Sequence, residues 1–406
     1  MGDVTARNGV DNVEDNGSGL RMQLVLVLFV TAIFFLNFIA RIVFAPLLPA
    51  VENDLGLSHS QAGSFFFVLT IGYFFSLLGS GFVSALISHR NTIVASSLLA
   101  GVVLLCISCA DTGLAVTAGM FFLGLATGLY LPSGIATITS LVQARQWGTA
   151  LAVHELAPNL GFVLAPVVAE IFMLWFPWRG VLAVLGVAAV LLGVFFARFG
   201  RGGDFKSEKP NYKSVSSLFR KPSFCVMTVL FCLGISSTVG VYSMLPLYLV
   251  SDHEIARVQA NTFVSLSRVA TIFVVFIGGW AADRFGTINT MKIVFFITGI
   301  MTISLGFVPS SWIFAVVILQ PLTAVCFFPA GFAVLSAIVP SQQRSLAISI
   351  AIPLGFIFGA GTVPAFLGIM GDADCFRLAF MILGSCIFSG CIILSVVKLK
   401  DIGIGK

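Results

Sequence analysis

Long apolar runs separated by short polar breaks organise the whole chain. A helix needs roughly 20 mostly apolar residues to cross the hydrocarbon core of a bilayer. Runs of that kind occur at 22–48, 62–85, 92–110, 114–141, 149–174 and 179–199. After a polar stretch they resume at 223–250, 258–282, 290–308, 312–339, 345–370 and 376–397. The pattern predicts an all-α integral membrane protein of twelve transmembrane helices in two six-helix bundles. The divisions expected are a disordered polar tail at 1–21, a first bundle at 22–199 and a basic linker at 200–221. A second bundle follows at 222–398, with a short tail at 399–406.

The two halves repeat one another. Leu48-Pro49 answers to Leu245-Pro246, 197 positions on, and Gln61-Ala62 answers to Gln259-Ala260, 198 positions on. Gly81 answers to Gly279 at the same offset of 198, and Leu131-Pro132-Ser133-Gly134 answers to Phe328-Pro329-Ala330-Gly331 at 197. Four matches in one register make each half a structural copy of the other, as secondary transporters commonly are.

Composition agrees: only 10% of residues are charged and 58% are hydrophobic, so most of the surface faces something other than water. The basic residues then set orientation. With the N-terminus cytoplasmic, 17 of the 22 Lys and Arg fall in inside segments, three outside (Arg179, Arg257, Arg377) and two within spans. Both termini are therefore expected in the cytoplasm, in a multi-pass inner-membrane protein. The net charge of +5 reads as a topology signal and not as a nucleic-acid footprint. Residues 1–19 lack the apolar core of a signal peptide. Eight cysteines lie mostly in apolar runs. Cys106 and Cys109 have CxxC spacing without a second pair or a nearby His, so they read as buried packing rather than as a metal site.

Gly279-Trp280-Ala281-Ala282-Asp283-Arg284-Phe285-Gly286, between the eighth and ninth spans, resembles the signature loop of the major facilitator superfamily. With the six-plus-six repeat, the resemblance covers essentially the whole chain. It implies the two-bundle fold, rocker-switch alternating access, and a gating role for Gly279, Asp283, Arg284 and Gly286. In that family the stronger copy of the motif lies between the second and third spans. Here that copy reads Gly81-Phe82-Val83-Ser84-Ala85-Leu86-Ile87-Ser88-His89-Arg90, without the acidic and first basic positions. Met120 stands where the family's fourth span often carries an Arg. Ala157-Pro158-Asn159-Leu160-Gly161 matches only part of the fifth-span motif of drug/proton antiporters.

Ionisable groups inside spans are costly and therefore functional candidates. Arg268 lies about ten residues into the eighth span, roughly 15 Å deep at the rise of a helix, near the midplane where such transporters bind. Arg41 lies in the outer part of the first span, with Asn37 one turn earlier. A guanidinium offers a planar fork of donors suited to carboxylates. Each arginine could instead serve structure, Arg268 as an internal ion pair and Arg41 by snorkelling to the interface. His154 and Glu155, near the cytoplasmic start of the fifth span, are candidates to carry a coupling proton. Glu170, near the outer end of that span, reads as interfacial. Tyr130 and Ser133 flank Pro132, Tyr242 and Tyr248 flank Pro246, and Asn159 lies mid-span. Tyr130, Ser133, Asn159 and Tyr242 join Arg41, Arg268 and Asn37 as candidate substrate contacts.

No Gly-rich phosphate loop and no metal-ligand spacing occurs, so neither a cofactor nor a metal is expected, nor is enzymatic activity. The function expected is secondary active transport of a small organic anion, coupled to protons. The alternative is a drug or metabolite/proton antiporter. A single chain already supplies both halves, so a monomer in the bilayer suffices.

Overall fold

In hydrocarbon every backbone N–H and C=O must find a partner within the protein, so apolar runs of this length fold as helices. The computed structural model describes residues 11–143, 146–207, 218–339 and 344–396, and no strand occurs among them. Twelve helices there are long and apolar enough to cross a membrane. The first six are α1 (Gln23–Leu55), α2 (His59–Ile87), α3 (His89–Ser108), α4 (Gly113–Leu141), α5 (Trp147–Met173) and α6 (Trp178–Phe199). The second six are α7 (Pro222–Ser251), α8 (Arg257–Phe285), α9 (Thr287–Leu305), α10 (Ser310–Ala337), α11 (Leu346–Asp372) and α12 (Phe376–Val396).

One difference from expectation lies at the amino end. The first helix runs from Asp11 to Ile42, so the segment expected to be a disordered tail is helical from Asp11. No proline between those residues stops the helix from propagating outward from the apolar core of α1. Residues 1–10, 208–217 of the linker (with Lys209 and Lys213) and the tail from 397 lie outside the described residues.

The repeat is visible in the backbone. α2 and α8 start at His59 and Arg257, α3 and α9 at His89 and Thr287, and α6 and α12 at Trp178 and Phe376, each pair 198 positions apart. Two unusual conformations recur at the same offset. Gly56 and Glu254, which follow the first helix of each half, have φ of 60° and 55°. Ser88 and Gly286, which join the second and third helices of each half, have φ of 83° and 86°. Glycine adopts such angles without cost, whereas a side chain there stores about 1–3 kcal/mol. The first half therefore holds Ser88 in a conformation for which the second half uses glycine.

Prolines divide several spans near their middle. A proline removes one hydrogen bond and its ring displaces the carbonyl four residues earlier. Pro46, Pro132 and Pro329 put those displaced carbonyls at Ile42, Gly128 and Val325, and helix breaks lie beside them at Val43, Leu129 and Val325–Cys326. In α7 and α11, π-helical turns span Ser236–Gly240 and Phe356–Thr362, close before Pro246 and Pro364 respectively.

The two bundles meet mainly on one face of the membrane. We call the side bearing the α6–α7 linker the linker face, and its opposite the distal face. At the distal end of α2, the Ser60 backbone N–H donates to the Asp372 carboxylate of α11 at 3.2 Å. Below it, glycines let the two backbones approach. A Cβ at Gly368 would collide with the His59 carbonyl, and one at Gly63 with the Pro364 carbonyl. Across the other seam, Arg257 of α8 pairs with Glu170 of α5 at 2.5 Å. Asn261 donates to that same carboxylate and, at 3.1 Å, to the Pro46 carbonyl of α1. Glu170 is thus an inter-bundle partner, not a free interfacial acid, because Arg257 begins the facing helix.

Toward the linker face the contacts lapse. The distal halves of α1 and α7 are buried throughout Asn37–Leu48 and Val241–Leu249, while Leu24, Val25, Leu28 and Val229 in their linker halves are exposed. The molecule is closed distally and splayed toward the linker.

Closure of the distal face should therefore depend on the missing side chain at Gly368. In Gly368→Leu, spin labels at the exposed distal positions Leu114 and Trp312, in a background without the native cysteines, should move apart by several ångströms. Unchanged label distances would show that the glycine approach does not hold this face shut.

Candidate functional site

The splayed halves converge on two arginines. Arg41 lies in the last turn of α1 before its break, and Arg268 lies in the last turn of α8 before the bend at Ala270. Both are buried, with 7% and 4% exposure. Neither has a carboxylate within ion-pair distance among the described residues, and neither Nε has a hydrogen-bond partner.

Aromatic rings take the place of counter-ions. The Arg41 guanidinium carbon lies 4.4 Å from the Tyr73 ring centroid and 5.2 Å from that of Phe38. That of Arg268 lies 4.9 Å from Phe162 and 5.1 Å from Tyr242. Such contacts contribute about 0.5–2 kcal/mol each, well below the several kcal/mol that burying an unpaired ion costs. Arg268 also donates from Nη2 to the Thr238 carbonyl at 3.1 Å, in the π turn of α7.

The two cations belong to one seat. Phe38 and Phe162 pack edge-to-face with centroids 5.1 Å apart, and Phe162 packs on Tyr242 at 4.9 Å. A continuous strip of rings thus links Arg41 to Arg268 through α1, α5 and α7. Tyr73 of α2 also meets Phe356 of α11 at 5.6 Å. Residues of both bundles thus build the seat around the two arginines.

A second polar group lies on α5. The Tyr130 hydroxyl donates its single proton to the Val30 carbonyl at 2.7 Å and lies 3.0 Å from His154 Nε2. That nitrogen must then carry the donated hydrogen, leaving Nδ1 bare. His154 is fully buried and stacked on Phe34, with centroids 4.3 Å apart, and its Nδ1 has no hydrogen-bond partner. The Glu155 carboxylate lies 3.6 Å from Nδ1, with its side chain 58% exposed.

Other candidates sit elsewhere. Asn37 is buried and donates to Ser96 Oγ and the Thr127 carbonyl, both at 3.2 Å, inside the first bundle. Ser133 is also buried, 3.2 Å from His89 Nδ1. Asn159 donates to the Glu155 carbonyl one turn back in its own helix at 2.8 Å. Tyr130 is held by His154 and α1, away from the arginines. Only Arg41, Arg268 and Tyr242 of the proposed substrate contacts come together. Phe38, Tyr73, Phe162 and Phe356 complete the seat without having been singled out. Phe38 alone carried a signal, lying one turn before Arg41.

At the linker face, Gly279, Asp283 and Arg284 lie in the last turns of α8 and Gly286 makes the turn into α9, with Asp283, Arg284 and Gly286 exposed. In the opposite half, where Ala85 replaces the acidic position, the start of the linker docks instead. Arg90 pairs with Asp204 at 3.3 Å, its backbone N–H donates to the Gly203 carbonyl, and Ser207 donates to the Gly81 carbonyl. Cys106 and Cys109 are free thiols and both exposed, contrary to the burial expected of them. No group of three or more His, Cys, Asp or Glu able to hold a metal occurs among the described residues.

Two pseudo-symmetric six-helix bundles that meet on one face, with a buried arginine from each, define a membrane transporter. The model of the Major Facilitator Superfamily matches residues 30–319 and 226–401, and the chain belongs to that family, whose members are transporters of small molecules. It is similar to the multidrug resistance protein MdtL of Escherichia coli K12, with 26% identity over 302 residues, 73% of this chain and 74% of that one. Its fold matches a bacterial homologue of the human lysosomal transporter Spinster in an inward-facing conformation. That match has a TM-score of 0.75 at 15% identity, over 92% of this chain and 95% of the other. A D-xylose-proton symporter matches with a TM-score of 0.74 at 16% identity, over 91% and 96% of the two chains.

The Asn37 bonds define a structural role that can be separated from the seat. Asn37→Ala should lower the stability of the detergent-solubilised protein by about 1–3 kcal/mol, the cost of stranding buried partners. Substrate preference should stay as in the parent. A change in preference at unchanged melting temperature would return Asn37 to the binding site.

Proposed function

We propose that the protein carries a small organic anion, carboxylate-like, across the inner membrane by rocker-switch alternating access. One observation supports this above others: two buried guanidiniums, one from each bundle, share a seat where no carboxylate of the described residues lies within ion-pair distance. An anion arriving there relieves an existing electrostatic cost, and it touches both bundles at once. Binding energy is thereby tied to the relative position of the bundles, which is what alternating access requires.

The excess of Lys and Arg near the linker supports a cytoplasmic linker face, with both termini on that side. In that orientation the conformation described is inward-facing. His154 and Glu155 then stand in the half that opens to the cytoplasm, as a proton-accepting pair. A proton moving with the anion offsets a membrane potential that opposes anion entry by about 2.3 kcal/mol per charge per 100 mV.

A second reading, efflux of drugs or metabolites in exchange for protons, is favoured by the similarity to MdtL. It places function on Glu155, the acid exposed beside His154, and makes the arginines structural. The two readings part on what the arginines do.

Purified protein in liposomes should give saturable, pH-dependent currents with a panel of carboxylates. Arg268→Ala should abolish them, and Arg268→Lys, which keeps the charge but not the planar fork, should retain only a fraction. Currents unchanged in Arg268→Ala would sink the anion seat in favour of efflux. In a separate variant, His154→Gln should keep substrate binding while flattening the pH dependence of transport. A retained pH profile would remove His154 from the proton path.

A further inference from the structure

We propose that the substrate of the arginine seat is a flat aromatic carboxylate with few hydroxyls, and that Phe162 is the residue that selects it. The inference rests on the anion reading above and names the body of the molecule that the guanidiniums hold.

The donor inventory of the seat carries the first half of the proposal. Side chains around Arg268 that could serve a polar ligand have already spent their hydrogens. Ser237 donates to the Gly234 carbonyl at 2.8 Å, Ser267 to Val264 at 2.7 Å and Thr271 to Arg268 at 2.6 Å. Ser265 donates across the seam to the Val163 carbonyl at 2.7 Å, and Tyr242 reaches the Phe162 carbonyl at 3.5 Å. Gln320 spends its amide on the Ser237 carbonyl and Thr302 Oγ1. What remains are the Tyr73 hydroxyl beside Arg41 and guanidinium N–H groups, including two buried and unpartnered Nε atoms. A sugar phosphate or a polyhydroxylated acid would bring more oxygens than the seat has free donors, and each unmet group buried there weakens binding.

The rings carry the second half. Phe38 meets Phe162 at an interplanar angle of 77° and Tyr242 meets it at 74°, so ring edges and faces alternate along the strip. Aromatic rings prefer edge-to-face and offset contacts to a face-to-face sandwich, and such pairs contribute beyond the area they bury, which a saturated body of equal size does not match. Phe162 lies at the junction, touching Phe38, Tyr242 and the Arg268 guanidinium together. A carboxylate held by the guanidinium edges would therefore lay its attached ring against Phe162. An inorganic anion fills the charge requirement but leaves the strip without contact.

The test is a competition series on the full-length protein in liposomes with benzoate, cyclohexanecarboxylate, acetate and inorganic phosphate. Benzoate should bind at least about tenfold more tightly than cyclohexanecarboxylate, which has the same carbon count but is not flat, and more tightly still than acetate or phosphate. Phe162→Leu, which keeps an apolar side chain of similar volume, should bring benzoate and cyclohexanecarboxylate within about twofold while acetate binding stays as in the parent. Equal affinity for benzoate and cyclohexanecarboxylate in the parent protein would overturn the aromatic selection. Equal affinity for benzoate, acetate and phosphate would overturn the apolar body, and in both cases the anion seat would stand. Binding of none of the four would overturn this inference and the anion reading together.

Discussion

A broken helix in hydrocarbon must have its freed carbonyls answered by other side chains, and that constraint shapes this molecule from the bundle interiors to the seat. Unsatisfied backbone groups there cost several kcal/mol each, with no water to make up the loss. The break in α4 shows the solution. Just before it, the carbonyls of Leu125, Ala126 and Thr127 accept from Ser76, Ser96 and Asn37, one side chain each from α2, α3 and α1. The π turn of α7 is answered similarly, with Gln320 on the Ser237 carbonyl and Arg268 on that of Thr238. Buried side chains such as Asn37, Ser76, Ser96, Gln320 and Arg268 are thus placed where a neighbouring helix departs from regular geometry.

This explains which parts of the site could be read in the sequence. Span count, the repeat and the loop turn are encoded in run lengths and offsets, which tertiary contacts do not alter. Arg41 and Arg268 stood out because permanent charge inside an apolar run has few benign uses. Asn37 stands out by its place one turn before Arg41 and Ser133 by its place beside Pro132; both bond inside the first bundle, which the sequence does not reveal because it does not show which face of a helix meets its own bundle. A small amide beside a broken neighbour does the work of a cap, and its partner is 90 positions away. Conversely, Phe162 was invisible among forty phenylalanines because its importance comes from the two bundles converging on it.

The two seams of the distal face are held by different physics. Distally, the α2–α11 seam closes by backbone approach at glycines, with the Asp372 carboxylate at the N-terminus of α2, where the helix dipole favours an anion. The α5–α8 seam uses the Glu170–Arg257 pair, with side chains 17% and 27% exposed, and the buried Asn261. A part-exposed pair is held less firmly than a fully buried one, since solvent screens it.

At the linker face the halves differ where the repeat has diverged. The second half keeps the acidic position of the loop, Asp283. In the first half, Ala85 leaves none, and Asp204 of the linker faces Arg90 across the same turn. Ser207 on the Gly81 carbonyl and Gly203 on the Arg90 amide fix the linker's first residues to the first bundle. A loop without its own carboxylate has one supplied by the first residues of the linker, so the linker and the first bundle's copy of the loop share the same few residues.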